Sequence, residues 1–303
     1  MPGTAVAHIA LTYGQAFTGS VADLEIHQRT LGASEVAALA AVPPTSDYRL
    51  DETSGTTAHD ANGLHDATLT GTASWVTPGH HSGDPAALSV DGSTGAASTS
   101  GPVLHTDQSF TVTAWVRLNA AGSTVQIAVS QAGTYTHAFR LGYGGSNNWL
   151  FRTVPTDATN AGGSTLASAS GSAIPGQWTF LAGVFDITNT TMYLYVNGTL
   201  ASSAVVGTPF ASAGALSIGR EWNNSAYDAY LNGRIDEARA YQRALTAAQV
   251  STLATATLRV TPSRKPATRA QHPEGSAAFS GQRAFARMSA SRRDASLRRR
   301  PCG

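Results

Sequence analysis

The stretch SFTVTAWVRL (109–118) shows the pattern that decides the fold class. Alternate positions carry apolar side chains, which would share one face of an extended chain: Phe110, Val112, Ala114, Val116 and Leu118. Because successive side chains of a β-strand point to opposite faces, this period of two predicts a strand with one buried face. Similar runs follow at TVQIAVS (124–130), THAFRLGY (136–143), NWLFRT (148–153), QWTFLAGVFD (177–186), TTMYLYVNGTLAS (190–202) and ALSIG (215–219).

The connections between these runs favour an antiparallel all-β sandwich over alternating strands and helices. Asn197-Gly198 separates two runs, and Asn-Gly is a strong hairpin signal. Only one helix is predicted in this part of the chain: it starts after Thr246, whose hydroxyl can cap it, and places Leu245, Val250 and Leu253 on one side.

The segment LNGRIDEARAYQRALTAAQVSTLA (231–254) has a similar partner upstream, FTGSVADLEIHQRTLGASEVAALA (17–40). With a shift of 214 residues, the pair Gln28-Arg29 matches Gln242-Arg243, and Leu39-Ala40 matches Leu253-Ala254. An internal repeat of this kind predicts two copies of one structural unit.

Several motifs in a fixed order resemble the laminin-G-like, concanavalin A-like jelly-roll family over roughly 47–254: YRLDETSGTTAHDANGLHDATLTG, ALSVDG, SFTVTAWVRL, GQWTFLAGVFD, MYLYVNGTL, LSIGR and GRIDEARAYQRALTAAQV. The resemblance implies two curved antiparallel sheets packed face to face, with a last strand followed by a short helix. We therefore expect an antiparallel two-sheet jelly-roll sandwich with one short C-terminal helix.

The repeat and the resemblance together predict the domain organisation. Residues 1–42 would be the C-terminal remnant of a preceding, sibling laminin-G-like domain, and 43–46 the linker. Residues 47–256 would form a complete laminin-G-like domain, followed by a disordered Arg-rich tail at 257–303. The chain is then a piece of a longer tandem protein.

Composition restricts where such a protein works. Only 13% of the residues are charged, and a chain rich in Gly, Ser, Thr and Ala is typical of extracellular β-proteins, so we expect the full-length protein to be secreted. The opening residues MPGTAVAHIALTYGQAF show no signal-peptide pattern, and no apolar run is long enough to span a membrane. The single cysteine, Cys302, excludes disulfides within the chain.

The C-terminal segment is strongly basic. Residues 259–303 hold eleven Arg or Lys residues against Glu274 and Asp294. A basic segment can bind nucleic acid, but here Phe279 and Phe285 are the only interleaved aromatic residues. A disordered extension is favoured over a nucleic-acid partner.

The sequence does not favour an enzyme. Retaining glycosidases need two carboxylates about 5 Å apart. In the jelly-roll hydrolases that this chain resembles, those carboxylates alternate along one strand, whereas here arginines flank the nearest acidic pair, Asp236-Glu237. The chain also lacks H-E-x-x-H and G-x-S-x-G motifs. We expect a non-catalytic module.

A calcium site is predicted from the loop HDANGLHD (59–66), because calcium prefers several carboxylate and carbonyl oxygens. The family resemblance implies that this loop meets the Asp of the final strand. The expected ligands are Asp60, Asn62 and Asp236, and calcium would have a structural role. The alternative is that Asp60 caps a turn and Asp236 pairs with a neighbouring arginine.

A sugar-binding site is predicted beside two Asn-rich loops, GYGGSNN (142–148) and EWNNSAYDAY (221–230), because sugar sites combine aromatic faces with planar amides. Trp75, Trp115 and Trp178 lie within strands and are expected to pack in the core. The predicted ligand-binding residues are Trp149, Trp222, Tyr143, Asn147, Asn148, Asn223 and Tyr227. The alternative is that these aromatic residues only cover the sheet. The adjacent pair His80-His81 is not predicted to form a site, because adjacent side chains point apart.

Three functions remain open. The favoured one is a carbohydrate-binding, lectin-like module of a secreted multidomain protein. The others are a structural or adhesive spacer that binds an extracellular protein, and an accessory domain of a glycoside hydrolase.

Overall fold

The computed structural model describes residues 43–81 and 83–255, and the backbone of two short paired strands, β1 (Leu11–Thr12) and β2 (Gln15–Ala16). The rest of the predicted remnant 1–42 and the predicted tail 257–303 lie outside the described residues. The domain organisation inferred from the repeat therefore stays a prediction.

Two antiparallel sheets form the sandwich that the alternating pattern predicts. We call the first one the front sheet, and its strands are β4 (Thr57–Ala58), β5 (Ala67–Thr70), β8 (Ala96–Thr99), β10 (Gln126–Ala132), β11 (His137–Tyr143), β12 (Trp149–Thr153), β13 (Ser164–Ala167) and β17 (Leu216–Ile218). Their spatial order is β13-β12-β11-β10-β17-β8-β5-β4.

The second sheet, called the back sheet, is built from β3 (Ser46–Tyr48), β6 (Ser74–Val76), β7 (Ala87–Asp91), β9 (Phe110–Leu118), β14 (Trp178–Asp186), β15 (Thr191–Val196), β16 (Thr199–Val205) and β20 (Asn232–Tyr241). Seven of them follow the order β16-β15-β14-β9-β20-β7-β6, and β3 pairs with β20. Strand β3 begins at Ser46, inside the predicted linker 43–46.

The core lies between the two sheets. All five apolar residues singled out in β9 are fully buried, which confirms the predicted inward face. The Phe110 ring packs against Phe139 of the front sheet with ring centroids 5.0 Å apart. Each buried phenylalanine side chain stabilises the fold by about 1.5–3 kcal/mol through the apolar area it removes from water.

A second apolar cluster covers part of the outer face of the back sheet. Helix α1 (Ala247–Thr255) is capped as predicted, because the Gln249 amide donates to Thr246 Oγ1 at 3.3 Å and the Thr246 amide donates to Gln249 Oε1 at 2.9 Å. Val250 of α1 and Leu245 pack in one cluster with Phe180 and Val184 of β14. The back sheet is thus buried on both sides at β14.

The predicted Asn-Gly hairpin is present between β15 and β16. Asn197 and Gly198 have φ values of 50° and 77°, as a two-residue type I′ turn requires. Asn197 Oδ1 also accepts a hydrogen bond of 2.9 Å from the Phe180 amide, which ties the turn to β14.

The two sheets approach closely at Gly183 of β14. A Cβ atom on this residue would lie 2.4 Å from Cδ2 of Phe151 in the front sheet. Overpacking of a dense core typically costs about 1–3 kcal/mol. We therefore expect Gly183→Ala to lower the free energy of unfolding by about that amount in urea denaturation.

Gly101→Ala is the matched control, because a Cβ atom there would meet no atom within 4 Å. We expect this variant to unfold at the urea concentration of the natural chain. Equal unfolding free energies for the two variants would contradict the close approach of the sheets.

Candidate functional site

One transverse row of polar residues crosses the whole front sheet. Each of the eight strands contributes one residue, and neighbours are directly paired in the order Thr57, Thr68, Ser98, Ser217, Ser130, Arg140, Arg152 and Thr165. Directly paired residues of an antiparallel sheet project to the same face. Because Phe139 and Leu141, on either side of Arg140, lie in the core, this polar row faces outward.

Two arginines stand opposite each other in the polar row, and a buried carboxylate compensates them. Arg140 and Arg152 are direct cross-strand partners, an arrangement that destabilises a sheet through like-charge repulsion. Glu221 lies over them, and its two carboxylate oxygens accept bonds from Arg140 Nη1 at 2.7 and 3.0 Å. His137 Nδ1 lies 3.2 Å from Glu221 Oε2. We call Arg140, Arg152, Glu221 and His137 the ionisable cluster.

Glu221 also begins a small hairpin that lies on the front sheet. The strands β18 (Glu221–Asn223) and β19 (Ala226–Asp228) are joined by Asn224 and Ser225, whose φ values of 49° and 61° fit a type I′ turn. The Ser225 amide donates to Tyr135 O at 2.8 Å, which fixes the turn to the neighbouring loop. The segment predicted as an Asn-rich loop is therefore an ordered hairpin.

The hairpin carries an aromatic rim, which we define as Trp222, Tyr227 and Tyr230 together with Arg220. The Trp222 and Tyr227 rings meet edge to face, with centroids 4.9 Å apart and planes at 73°. The guanidinium carbon of Arg220 lies 3.4 Å from the Tyr227 ring centroid, and Arg220 Nη2 donates to Ser98 Oγ of the polar row at 3.1 Å. Tyr227 is nevertheless 44% exposed, so part of the rim faces solvent.

Burial shifts the pKa values of two residues in the ionisable cluster. Burial lowers the pKa of His137 to about 3, and the positive charges of Arg140 and Arg152 add to this effect. Burial also raises the pKa of Glu221, against the opposing effect of Arg140. His137 is thus neutral near pH 7, and its Nε2 has no hydrogen-bond partner among the described residues.

Three of the predicted ligand-binding residues lie together in this region. Trp222 and Asn223 are half-buried in β18, and Tyr227 is exposed in β19. Trp222 Nε1 donates to Thr134 O at 3.0 Å, which holds the ring edge against the loop before β11. Asn223 Oδ1 accepts a bond of 3.4 Å from Thr136 Oγ1.

The prediction that Trp149 and Tyr143 face a ligand is wrong, because both rings are fully buried in the core. Trp149 Nε1 donates to Ser172 O, and the Tyr143 hydroxyl donates to Gly122 O. Trp149 is two residues from the core residue Phe151, so strand alternation places both on the inward face.

Asn147 and Asn148 belong to the turn between β11 and β12. The Asn147 amide donates to the Tyr143 hydroxyl oxygen at 3.2 Å, and Asn148 lies half-buried next to Gly144. This turn follows the C-terminal end of β11, whereas Trp222 contacts its start. At about 3.3 Å per residue, a seven-residue strand spans about 20 Å, so the two predicted groups do not form one site.

The three predicted calcium ligands each make their own hydrogen bonds within the protein, and calcium binding by them stays a prediction. Asp60 accepts backbone amide bonds from four residues: Asp47, Asn62, Leu64 and His65. These four donors use the lone-pair sites of a carboxylate, so Asp60 holds its own loop together. The side-chain amide of Asn62 donates to Pro44 O and Thr45 O, which ties the loop to the start of β3.

Asp236 belongs to a different cluster. Its Oδ2 lies 3.1 Å from His80 Nδ1 and accepts a 2.8 Å bond from the His80 amide. Burial raises the pKa of Asp236 to about 7. Burial lowers the pKa of His80, but hydrogen bonds to Asp236 and Asp84 outweigh it and raise the value to about 9.

The sequence matches one known protein family. A family model described as the concanavalin A-like lectin/glucanases superfamily matches residues 90–251, which is more than half of the chain. The chain belongs to this superfamily. The predicted resemblance and the predicted fold class are confirmed.

Two solved structures have a similar fold. Domain 4 of AbnA, an extracellular GH43 arabinanase from Geobacillus stearothermophilus solved with arabinotriose, is 22% identical, with a TM-score of 0.53 over 70% of this chain and 98% of that chain. The binding domain of botulinum neurotoxin serotype D/C is 14% identical, with a TM-score of 0.53 over 70% of this chain and 51% of that chain. At these identities the likeness concerns the fold. A search of curated protein sequences found no match.

The ionisable cluster is the part of the site that the sequence analysis did not predict. The signal was a single arginine in each of two otherwise apolar strands, THAFRLGY and NWLFRT. An unpaired charge on a covered strand face needs a partner, but the partner Glu221 is 81 residues from Arg140, and their pairing depends on the fold. None of the helices among the described residues is long and apolar enough to cross a membrane.

The low pKa of His137 predicts a pH dependence of stability. Its pKa is about 3 in the folded chain and 6.5 as the ordinary value, so the unfolded state binds more protons between these two pH values. Stability therefore falls as the pH drops from 6.5 towards 3, by at most about 5 kcal/mol from this residue. We expect His137→Gln to remove this part of the dependence in urea unfolding at a series of pH values.

Glu221 titrates in the natural chain and in the His137→Gln variant alike, so its contribution largely cancels in the difference between them. Parallel stability curves for the two proteins between pH 6.5 and pH 3 would contradict a buried, neutral His137.

Proposed function

We propose that this chain is a non-catalytic carbohydrate-binding module of an extracellular protein, and that the aromatic rim over the polar row is its ligand site. Membership in a superfamily of lectins and glucanases supports the proposal. So does the fold shared with an arabinanase domain solved with arabinotriose. An extracellular sugar polymer is therefore the first ligand class to test.

The observation that carries the proposal is the combination of a partly exposed aromatic pair, Trp222 and Tyr227, with the ionisable cluster beneath it. Sugar rings present C–H surfaces to aromatic faces and hydroxyl groups to planar donors and acceptors. The edge-to-face contact holds Trp222 and Tyr227 as one rigid surface. Asn223 and the exposed residues Asn224 and Asp228 lie beside it and can receive the hydroxyl groups.

The charge distribution favours binding over hydrolysis. Glu221 and Asp228 are direct cross-strand partners, so two carboxylates do lie close together at the rim. A glycosidase general acid must reach the glycosidic oxygen. The Glu221 side chain is only 1% exposed and holds Arg140 through both oxygens, so it stabilises the hairpin and does not reach a ligand.

We expect Trp222→Ala to abolish sugar binding, because it removes half of the aromatic pair. The measurement is isothermal titration calorimetry with arabinotriose and then a panel of other oligosaccharides, accompanied by thermal unfolding. The half-buried Trp222 makes one hydrogen bond to a loop carbonyl, so its loss should cost less than the about 3–5 kcal/mol typical of a core tryptophan.

Trp75→Ala is the matched control. Trp75 is also half-buried and also donates from Nε1 to a backbone carbonyl at 3.0 Å, that of Gly55, but it lies in β6 of the back sheet. This variant should bind every sugar that the natural chain binds. Equal loss of binding in both variants, or binding that survives Trp222→Ala, would place the site elsewhere.

A further inference from the structure

A second cluster of polar side chains lies on the opposite sheet, away from the aromatic rim. The loop before β7 brings three potential metal ligands together, His80, His81 and Asp84, whose ligand atoms lie within 4.8 Å of one another. Asp236 of β20 joins them through His80. The adjacent histidines do not point apart as the sequence reasoning assumed, because their rings meet edge to face at 4.4 Å.

The four side chains form a closely spaced set. His80 Nδ1 lies 2.9 Å from Asp84 Oδ2 and 3.1 Å from Asp236 Oδ2. His81 Nε2 lies 3.8 Å from the same oxygen of Asp84. Ligands at 2.0–2.2 Å from a tetrahedral zinc ion are about 3.3–3.6 Å from one another, so the separations of Asp84 from the two histidines are close to the edges of such a tetrahedron.

The surrounding structure fixes the cluster in place. The His80 ring stacks on Trp115 of β9 with centroids 4.6 Å apart, and Trp178 meets it edge to face at 6.2 Å. Gly79 permits the close approach of Asp84, because a Cβ atom there would lie 2.5 Å from Asp84 Cγ. Ligands held in this way lose little freedom when an ion binds.

Charge and burial point to a cation. The side chains of Asp84 and Asp236 have no solvent exposure, and burial of two ionised carboxylates in one place is costly unless positive charge balances them. Protonated His80 supplies one positive charge to the two carboxylates, whereas a divalent ion that replaces its proton supplies two. His81 is 21% exposed, so the cluster is reachable from solvent on that side.

The donor atoms select the kind of cation. Calcium prefers a shell made of oxygen atoms, whereas imidazole nitrogen is a typical ligand of zinc and related transition metals. We propose that His80, His81 and Asp84 form a binding site for a zinc ion, with Asp236 holding His80 in place beside it. The ion closes the loop before β7, which the His80–Asp236 bond ties to the central strand of the back sheet, and stabilises the fold.

The test is metal binding by the full-length, tag-free chain after treatment with a chelator. Zinc chloride should bind with one ion per chain at this site, and a hundredfold excess over the dissociation constant should raise the unfolding temperature by about 5–10 °C. Calcium chloride at the same concentration should leave the temperature unchanged. Cobalt chloride should give the intense visible absorption of a tetrahedral Co²⁺ complex.

His81→Asn is the first variant, because this partly exposed side chain can be replaced with little change in packing. We expect the metal-free variant to unfold within about 2 °C of the natural chain and to bind zinc at least about tenfold more weakly. His59→Asn is the matched control, since His59 also contacts a carboxylate, Asp66, at 3.1 Å but lies outside the cluster. It should bind zinc like the natural chain.

Asp84→Asn is the second variant, because it keeps the side-chain shape while removing one charge. Loss of zinc binding in both cluster variants, with normal binding by His59→Asn, is the expected result. Zinc affinity unchanged in His81→Asn and Asp84→Asn, or stabilisation by calcium and not by zinc, would overturn the proposal. Neither result depends on sugar binding, so the two proposals succeed or fail separately.

Discussion

The hydrogen bonding of β20 is the constraint on which the rest of the sandwich depends. This strand pairs with β9 along most of its length, with β7 through Asn232–Ile235 and with β3 through Ala238–Ala240. The change of partner occurs at Asp236 and Glu237, where the register to β9 shifts and Glu237 has a φ of 45°. At this irregularity the Asp236 side chain reaches the loop that carries His80. One strand therefore orders the back sheet and, through Asp236, fixes His80 of the proposed zinc site.

The clusters around Glu221 and Asp236 are stabilised in the same way. A buried carboxylate is tolerated where several donors surround it, and its removal leaves those donors without a partner. Glu221 meets this condition with Arg140 and His137 on the front sheet, and Asp236 meets it with His80 on the back sheet. Both clusters fix a short segment on the outside of a sheet. On the front sheet that segment exposes aromatic rings, which makes it the better candidate for ligand recognition.

The sequence predicted features that depend on neighbouring residues. The period of two identified β9 to β12 and β14 to β17, Asn197-Gly198 identified a hairpin, and Thr246 identified the start of α1. It did not separate Trp149 from Trp222, because both lie beside Asn-rich segments, although the position of Phe151 two residues later indicated the inward face of Trp149. The polar clusters could not be predicted, because they join residues far apart in the chain. His80 and Asp236, for example, are separated by 156 positions.

The most direct test of the account is a sugar titration followed by the five tryptophan indole N–H signals in a two-dimensional ¹⁵N NMR spectrum. Arabinotriose would be added first and other oligosaccharides afterwards. If the aromatic rim binds the sugar, the chemical shift of the Trp222 signal, assigned with the Trp222→Phe variant, changes with the ligand concentration. The chemical shift of the buried Trp149 signal stays fixed. A saturable shift of Trp149, Trp75 or Trp178 with an unchanged Trp222 signal would contradict the assignment of the aromatic rim as the ligand site.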